Sequence, residues 1–467
     1  MQLANITMLR ECRISLSKLF STFFLLFSFF FLAAQDNSPY SRYGLGNIVP
    51  PTNISTRSMG GISAGYSDIL SVNFNNPASY STFQTFVEER SKKLVSGRVL
   101  LDVGVNIESR TLRVPNQPQK FTSSNALFSY IQLGVPLRKN WGLSFGLRPL
   151  SRVSYKIAKR EKLFDPRTGL GIDSAFTEFT GDGGSYLPSI GTGFAIKNFS
   201  AGVNVGYLFG RKAASTRRSL FNDTVTYNNS NHTSTTSFGD VFLNAGAQYR
   251  IDLTGNKEAS RQTFIRLGIA GNLQQNISAS QDIVRETFSR DATAGDSRID
   301  SVYEQNDIKS SITYPASYTA GLVVEHIKEK GDGWLLGADL TQTKWSNFRY
   351  LGTLDSVQNN WQLHVGGQYR PAFGRAYFSK VAYRAGFFVG KDYIRVQQGL
   401  PQLGVTLGMS LPVITNNRQS IGQFTVVNVA LEVERRGNNE NLLKENMFRL
   451  SVGLNFSDLW FNKRKYD

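Results

Sequence analysis

The sequence predicts an all-β protein: a transmembrane antiparallel β-barrel of about 14 strands with an N-terminal plug in the lumen. From Arg98 onward, apolar and polar residues alternate over segments of about nine to eleven residues, the length of a tilted strand that crosses a bilayer. The stretch Arg57–Tyr80, ahead of these strands, is glycine-rich and fits neither a helix nor a strand. No apolar run after residue 34 is long enough for a spanning helix, so a membrane location requires a closed barrel.

Residues 1–34 are expected to form a secretory signal peptide. Basic residues precede an apolar run of about 14 residues, Leu19–Leu32, which is short for a membrane-spanning helix. The small residues Ala33 and Ala34 then form the expected cleavage site. The one cysteine, Cys12, lies in this segment, so the mature chain is expected to have no disulfide and no thiol chemistry. An N-terminal membrane anchor is the alternative interpretation.

The exported chain is expected to have two parts, a plug at 35–93 and a barrel at 94–467. Gly60–Gly61 interrupts any regular element in the plug, since glycine loses the most backbone entropy when it becomes ordered. Asn75–Pro77 predicts a turn, because the residue before a proline avoids the helical region and asparagine bonds to nearby backbone groups. The charged segment Glu88–Lys93 is predicted to join the two parts.

The positions of the charges help to distinguish a barrel from a soluble sandwich. Arg148 and Arg384, like the other charges in the alternating segments, lie on the phase opposite the apolar residues. An arginine that faces lipid at mid-depth costs about 2–4 kcal/mol, so a barrel must keep its charges in the lumen. Alternation alone also fits a sandwich. The polar phase, however, is rich in Gly, Ser, Asn and Gln, and Trp and Tyr end the apolar phase, as in the girdles of membrane barrels.

Connection lengths support the barrel. Every second connection is long and is expected to be a loop: Ser109–Ser124, Ser151–Tyr186, Gly210–Ser237 and Gln274–Tyr314. Asp182–Gly184, inside the second of these, is interpreted as a turn. The connections between them, such as Pro136–Asn140 and Lys197–Asn198, are short. Long loops on one rim and short turns on the other are typical of outer-membrane barrels, so the sequence predicts a Gram-negative outer-membrane location.

The formal charge is +17, and about +15 without the predicted signal peptide. An exported protein rarely meets nucleic acid, so nucleic acid is not an expected partner. Outer-membrane lipid and lipopolysaccharide, with their phosphates, are the expected partners of a basic surface. Arg211, Lys212, Arg217 and Arg218 form a basic cluster that is either an ordinary solvated loop base or a contact with lipopolysaccharide at the outer rim.

No residue pattern indicates catalysis, so the chain is not expected to be an enzyme. His232, His326 and His364 have no cysteine, second histidine or carboxylate at ligand spacing, so neither a metal nor a cofactor is expected. His364 is assigned to a lumen hydrogen-bond network with Gln362 and Gln368.

Two plug motifs resemble a known family. Arg57–Gly61, the sequence RSMGG, is followed by Asn76–Ser79, the sequence NPAS. Together with the signal peptide and the strand pattern, they are similar to the FadL/TodX group of outer-membrane transporters for long-chain fatty acids and aromatic hydrocarbons. The resemblance implies a glycine-rich hatch inside a fourteen-stranded barrel. The tail Asp458–Asp467 resembles barrel tails of Bacteroidetes-type bacteria, in which one relative of the group acts in protein secretion.

The predicted function is passive, plug-gated diffusion of a hydrophobic small molecule. The residues expected to shape the gate are Gly60, Gly61, Asn76, Pro77 and Ala78. The residues expected to capture ligand in the long loops are Phe164, Leu170, Phe176 and Phe179. Pro149 is expected either to kink the wall or to mark a strand end. The alternatives are a non-transporting outer-membrane barrel that is a protein partner in secretion or envelope assembly, and a soluble periplasmic β protein.

Overall fold

A computed structural model of the chain describes residues 38–87, 94–164, 171–222, 227–254, 261–291, 295–328, 331–413 and 423–460. The predicted signal peptide, Leu170 and the tail from residue 461 lie outside these ranges. The described part folds as one sheet of nineteen strands with a few short helices. None of the helices in these ranges is long and apolar enough to cross a membrane.

The sheet supplies almost all of the regular structure. Its strands are β1 Asn47–Ile48, β2 Thr85–Val87, β3 Leu94–Arg113, β4 Lys120–Arg138, β5 Trp141–Phe164, β6 Gly171–Ile196, β7 Phe199–Phe221, β8 Asn229–Asp252, β9 Arg261–Asn272, β10 Gln275–Asp291, β11 Gly295–Tyr314, β12 Ser317–Lys328, β13 Gly333–Thr343, β14 Arg349–Tyr350, β15 Asn360–Arg370, β16 Ala382–Val396, β17 Gln398–Val413, β18 Phe424–Arg436 and β19 Lys444–Trp460. The helices are one α-turn, Ile54–Arg57, and 3₁₀ turns at Pro39–Arg42, Pro77–Thr82, Trp345–Asn347 and Tyr377–Lys380.

Fourteen strands close an antiparallel barrel, which confirms the predicted fold. In the described part of the chain these are β3–β9, β12, β13 and β15–β19, each paired with the next along the ring. The ring closes because β19 pairs with β3, from Lys444↔Arg113 to Trp460↔Gly97. In a closed sheet, the backbone N–H and C=O groups of the wall find hydrogen-bond partners on neighbouring strands. Lipid could not provide such partners.

Side chains alternate between a lipid-facing and a lumen-facing side, as the sequence phases predict. On β5, Phe145 is 46% exposed, whereas the neighbouring Ser144 is buried. On β18, Val433 is 59% exposed and Glu432 is buried. The charged phase therefore faces the lumen, where water and polar partners can be supplied.

The two rims differ. The turns after β4 and β6 are tight, and Asn140 and Lys197 adopt positive φ angles of 64° and 55° in them. The first and last barrel strands begin and end at this same rim. We call it the short-turn rim, and we call the opposite one the long-loop rim. In outer-membrane barrels short turns face the periplasm and long connections face the cell exterior.

The long connections are mostly strands, and the prediction that they are loops is wrong. β5 and β6 continue for 24 and 26 residues, well beyond the length that crosses a bilayer. Asp182–Gly184, expected to be a turn, lies inside β6. Gln274–Tyr314, expected to be one loop, folds as the hairpin β10–β11, which pairs with β8. Neighbouring extensions stabilise each other by cross-strand pairing, which polar segments with many Ser and Thr residues can maintain in water.

One seam of the wall opens towards the long-loop rim. The ladder between β4 and β5 ends at Ile131↔Leu147. Two residues further along β5 lies Pro149, which has no N–H group to donate. Beyond it, β5 pairs with β1 through Ile48↔Ser151. A strand of the plug therefore takes the pairing position that β4 leaves.

Candidate functional site: the plug in the lumen

The plug, residues 38–87 in the structure, runs through the lumen from one rim to the other. At the long-loop rim the Ser38 N–H donates to Ser154 O on β5 at 3.1 Å, and Ser38 Oγ donates to Glu445 on β19. At the short-turn rim Phe86 pairs with Ser96 on β3. The lumen is therefore crossed by a continuous segment that is fixed at both ends.

Gly60 and Gly61, two of the predicted gate residues, lie against the wall formed by β15–β17. Both have positive φ angles, 71° and 94°, which favour glycine. The Gly60 N–H donates to Thr406 Oγ1 at 2.8 Å, and Gly60 O lies 2.6 Å from Nδ1 of His364. A Cβ atom at Gly60 would lie 2.7 Å from Val365 O. Here the plug backbone and the wall are in direct contact.

Asn76, Pro77 and Ala78 lie on another side of the lumen, against β6–β9. Asn76 caps the 3₁₀ turn, because its Oδ1 accepts from the Ala78 N–H at 3.1 Å. Its Nδ2 donates to Ala64 O at 2.6 Å and to Ile269 O on β9 at 3.2 Å. The predicted gate residues thus contact different sides of the barrel wall, and the plug segment between them links the two contacts.

Two lumen carboxylates hold that segment. Asp339 Oδ2 on β13 accepts from the N–H groups of Ser63 and Ala64 at 2.6 and 2.7 Å. Asp102 Oδ2 on β3 accepts from the Val72 N–H at 3.2 Å. The sequence placed both carboxylates on the lumen phase but gave no sign of their partners. They satisfy plug N–H groups that would otherwise be buried without an acceptor.

Glycines on the lumen face of the wall allow the plug backbone to approach. A Cβ atom at Gly268 on β9 would lie 1.9 Å from Ala64 O, and one at Gly366 on β15 would lie 2.1 Å from Met59 O. The same close approach of the plug backbone recurs at Gly142, Gly193, Gly202 and Gly386, whereas Gly246 and Gly408 lie against plug side chains. In the sequence, glycine is frequent on the polar phase of the strands. That lumen-facing position was the signal that could have located the plug contacts.

Two buried side chains show how polar groups of the plug are accommodated. Arg57 donates to Asn106 Oδ1 on β3 at 2.9 Å and to Thr52 O at 3.1 Å. Burial lowers the pKa of Arg57 to about 10, so the guanidinium stays charged at neutral pH. Tyr80 donates to Asn204 Oδ1 on β7 at 3.1 Å, and burial raises the pKa of Tyr80 to about 12. Both side chains join the plug to the wall in their neutral-pH forms.

Buried ion pairs surround the plug near the long-loop rim. Arg449 on β19 pairs with Glu108 at 2.7 Å and with Glu432 at 2.5 Å. Arg436 on β18 pairs with Glu445 at 3.1 Å, the same carboxylate that accepts from Ser38. A buried charge is costly unless it has a partner, so these pairs bind the strands and the plug into one unit.

A cavity of about 270 Å³ remains between the plug and the wall. Its lining combines residues of the buried ion pairs and polar wall residues with apolar and aromatic side chains, among them Gln362, Arg449, Leu150, Phe242, Trp345 and Phe388. Asn47 Nδ2 and Asn360 Oδ1 line it and have no hydrogen-bond partner within the described part of the chain. Buried polar atoms of this kind are usually satisfied by water, so the polar part of the cavity suits solvent.

The structure describes the side chains of two predicted capture residues, Phe176 and Phe179, and these two do not share a surface. Phe176 and Phe179 are three residues apart on β6 and therefore point to opposite faces of the sheet. Phe164 ends β5, and its side chain, like Leu170, lies outside the described part of the structure. Pro149 pairs with Tyr186 inside β5, so it does not end the strand. Ligand capture at these residues and a wall kink at Pro149 remain predictions.

The histidines make local contacts. His364 bonds to the plug at Gly60, whereas Gln362 bonds to Gln402 and Gln368 to Arg384, so the predicted network of His364 with these glutamines is wrong. His232 lies in strand β8 and not in a loop. Within the described ranges, no group of three or more His, Cys, Asp or Glu side chains could hold a metal ion.

A model of the BamG protein family matches residues 16–467, almost the entire chain. The chain belongs to the BamG family. No curated protein gives a significant match to the sequence.

Several solved structures match the chain at low sequence identity. The CymD monoaromatic hydrocarbon channel is 14% identical, and the match covers 89% of this chain and 98% of CymD with a TM-score of 0.50. The toluene transporter TbuX from Ralstonia pickettii is 13% identical over 89% of this chain and 99% of its own, with a TM-score of 0.48. A FadL homologue from Pseudomonas aeruginosa is 13% identical over 90% of this chain and all of its own, with a TM-score of 0.47.

The comparison with CymD supports the fold alone, a closed antiparallel barrel of fourteen strands. CymD is named as a channel and TbuX as a transporter. The predicted resemblance is confirmed for the architecture, and the family is BamG. The Bacteroidetes-type origin stays a prediction.

Proposed function

We propose that this protein is a plugged outer-membrane barrel that serves as a protein partner in secretion or envelope assembly. The observation that carries the proposal is the filled lumen. Wall glycines contact the plug backbone directly, and the lumen carboxylates Asp102 and Asp339 accept its N–H groups. The cavity that remains is small, and its lining mixes charged and polar residues with apolar and aromatic ones. Such an interior suits a rigid scaffold better than a path for an apolar solute.

The comparisons also favour the partner function over passage of a small molecule. The BamG family model matches almost the entire chain, whereas the likeness to the CymD channel is one of fold at 14% identity.

The strands β5–β8 and the hairpin β10–β11 provide another argument for a protein partner. They extend far beyond the length that crosses a bilayer and form a continuous sheet on the long-loop side. A rigid sheet outside the membrane is a suitable surface for a partner protein.

Passage of a hydrophobic small molecule is the second candidate function. Two observations favour it: the barrel has the fold of the CymD monoaromatic hydrocarbon channel, and the seam between β4 and β5 opens beside Pro149. A solute that left through this seam would have to displace β1, which pairs with β5 there. Passage therefore requires the plug to move, whereas a scaffold does not.

A disulfide that locks the plug separates the two functions. A Cβ atom at Gly453 on β19 would lie 3.3 Å from Cβ of Ile54 in the plug, close to the separation found in disulfides. The one natural cysteine, Cys12, precedes the plug, so the engineered pair Ile54→Cys with Gly453→Cys has no competing thiol there. The two single-cysteine variants are the controls for the substitutions themselves.

For a protein partner, cells that carry the oxidised pair should keep normal levels of outer-membrane and secreted proteins, whereas cells without the protein should lose them. Proteoliposomes of the wild type should not take up a fluorescent fatty acid faster than empty liposomes. Uptake that the oxidised pair blocks and a reductant restores would contradict the proposal and establish passage.

A further inference from the structure

Three strands extend beyond the barrel wall at the long-loop rim with one edge unpaired in the described part of the chain. Towards this rim β4 and β5 no longer pair beyond Ile131↔Leu147, and on that side β5 bonds only to the plug. The third strand, β11, pairs with β10 on one side and with β14 only at its end on the other. An unpaired edge carries a row of N–H and C=O groups that a strand of another protein can join.

Two of these edges are protected against pairing. The free edge of β5 carries Lys156, Lys159 and Lys162, and charged side chains, lysine above all, discourage the addition of a strand. The register of β11 against β10 shifts at three places. Such bulges twist an edge and interrupt the regular spacing of its polar groups. Both features are typical of edges that a protein keeps free.

The free edge of β4 has neither protection. From Phe121 to Phe128 the strand contains no charged residue and no proline. Its register with β3 runs without a shift from Val105↔Phe128 to Arg113↔Lys120. Phe121 is 64% exposed and Phe128 is 38% exposed. A regular, uncharged and exposed edge is a template for pairing, and natural proteins seldom leave one without a partner.

The backbone groups of this edge point into the seam between β4 and β5. The Arg152 guanidinium on β5 donates to Phe128 O, so the Phe128 carbonyl points away from β3. In an antiparallel strand, alternate residues direct both their N–H and their C=O groups to the same side. Three further residues therefore offer a donor and an acceptor to the seam: Thr122, Ser124 and Ala126. Ser124 Oγ donates to Ser109 Oγ at 3.2 Å, as expected where side chains of a non-hydrogen-bonded pair lie close together.

The seam suits a free extended segment better than a second barrel. At its base it already holds one added strand, since β1 of the plug pairs with β5 through Ile48↔Ser151. The edge of β4 lies opposite β5 of the same chain, and the Arg152 side chain crosses between them. A separate segment can enter such a slot, whereas a strand that is fixed in the wall of another barrel would collide with β5.

The two faces of β4 indicate the side chains of this segment. Phe121 and Leu127 pair with lumen-phase residues of β3 and share the inner face, whereas Thr122 and Ser124 lie on the outer face. Cross-strand pairs of like polarity stabilise a sheet, so the segment should place apolar side chains on the inner face and polar ones on the outer. The lysines on the opposite edge of β5 favour acidic residues among the polar ones.

We infer that the free edge of β4, Phe121–Phe128, binds an extended segment of a partner protein as an added β-strand in the seam. The inference rests on the proposed function, because it assigns the place at which the partner binds. Backbone hydrogen bonds to Ser124 and its alternate neighbours hold the segment. Contacts with Phe121 and Leu127 select apolar side chains on its inner face.

The test is photo-crosslinking in intact cells with p-benzoylphenylalanine in place of Phe121, a substitution that keeps an aromatic ring at this position. The crosslinked peptide, identified by mass spectrometry, should come from a different protein and should alternate apolar and polar residues. Adding Ser124→Pro removes an N–H group from the seam but none from the β3 ladder, so the crosslinked product should fall on the order of tenfold. Ser124→Ala is the matched control, because it keeps the N–H group, and its yield should be unchanged.

A crosslink to a peptide of this chain, from the same molecule or from a second copy, would overturn the inference, and so would the lack of any product. An undiminished yield in Ser124→Pro that migrates in gels as a folded, heat-modifiable barrel would also overturn it. The proposed function is tested separately, by the levels of outer-membrane and secreted proteins in cells without the protein. Reduced levels without a crosslink would contradict this inference alone, and a crosslink with normal levels would contradict the proposed function alone.

Discussion

The Ser63 N–H in the plug donates to Asp339 on β13 across 2.6 Å, although the two residues are 276 positions apart in the chain. The same carboxylate oxygen accepts from the Ala64 N–H at 2.7 Å. One wall side chain thus satisfies two consecutive plug N–H groups. This relationship makes the plug part of the folded barrel and not a loosely held insert.

Asp339→Ala should loosen the plug and destabilise the barrel. It leaves two buried N–H groups without an acceptor, at about 1–3 kcal/mol for each. Urea titration of the protein in liposomes measures the free energy of unfolding, and protease sensitivity of the plug reports its release. Asp240→Ala is the control, since Asp240 accepts from Val241 and Ser278 N–H groups at an exposed site where water can replace it. Equal losses in the two variants would contradict the assigned role of Asp339.

Asn76→Asp should be much more harmful than its small change in size suggests. It replaces the Nδ2 donor by an oxygen that faces the carbonyls of Ala64 and Ile269. An uncompensated buried charge costs about 3–5 kcal/mol. The loss should become smaller as the pH falls, because protonation of the introduced carboxyl removes its charge and restores a donor.

The matched control for this prediction is Asn198→Asp. Asn198 Nδ2 also donates to a backbone carbonyl, Arg250 O at 2.9 Å, but at an exposed turn where water can replace either group. Its free energy of unfolding, measured by urea titration at neutral pH, should stay within about 1 kcal/mol of the wild type. A similar loss in both variants would show that the carbonyls around Asn76 do not set the effect.

Gly268→Ala should displace the plug from the wall. The added methyl group would lie 1.9 Å from Ala64 O, so backbone must move on one side or the other. Overpacking of this kind costs about 1–3 kcal/mol. Hydrogen exchange of the plug amides near Ala64 should accelerate. Gly374→Ala, whose nearest atom is the exposed Ser379 Oγ at 3.0 Å, should leave exchange in the plug unchanged. Unchanged exchange in Gly268→Ala would rule out the close packing inferred here.

Arg449→Met should cost about 3–5 kcal/mol, because it leaves Glu108 and Glu432 buried without their shared partner. Arg298→Met should cost less than about 1 kcal/mol, since Arg298 pairs with Glu286 and Glu304 at the exposed hairpin β10–β11. Denaturant titrations of both variants in the same liposomes provide the comparison. Comparable losses would mean that burial does not determine the contribution of these pairs.

The sequence by itself determined the barrel. Alternation with period two is a local property, and the constraint that charges avoid lipid assigns one phase to the lumen without any knowledge of strand pairing. These two rules placed Asp102, Asp339 and Glu432 correctly in the lumen. The glycines and the Asn-Pro pair located the plug. These features depend on residues that are close together in the chain.

Only the tertiary structure decided what the lumen phase contacts. The bond between Asp339 and Ser63, the approach of Gly366 to Met59 and the pairing of β1 with β5 all join distant segments, so no local pattern encodes them. The outer strand extensions were missed for the same reason. Polar Ser- and Thr-rich segments resemble loops in isolation and become strands when a neighbour of equal length supplies the other half of each hydrogen bond.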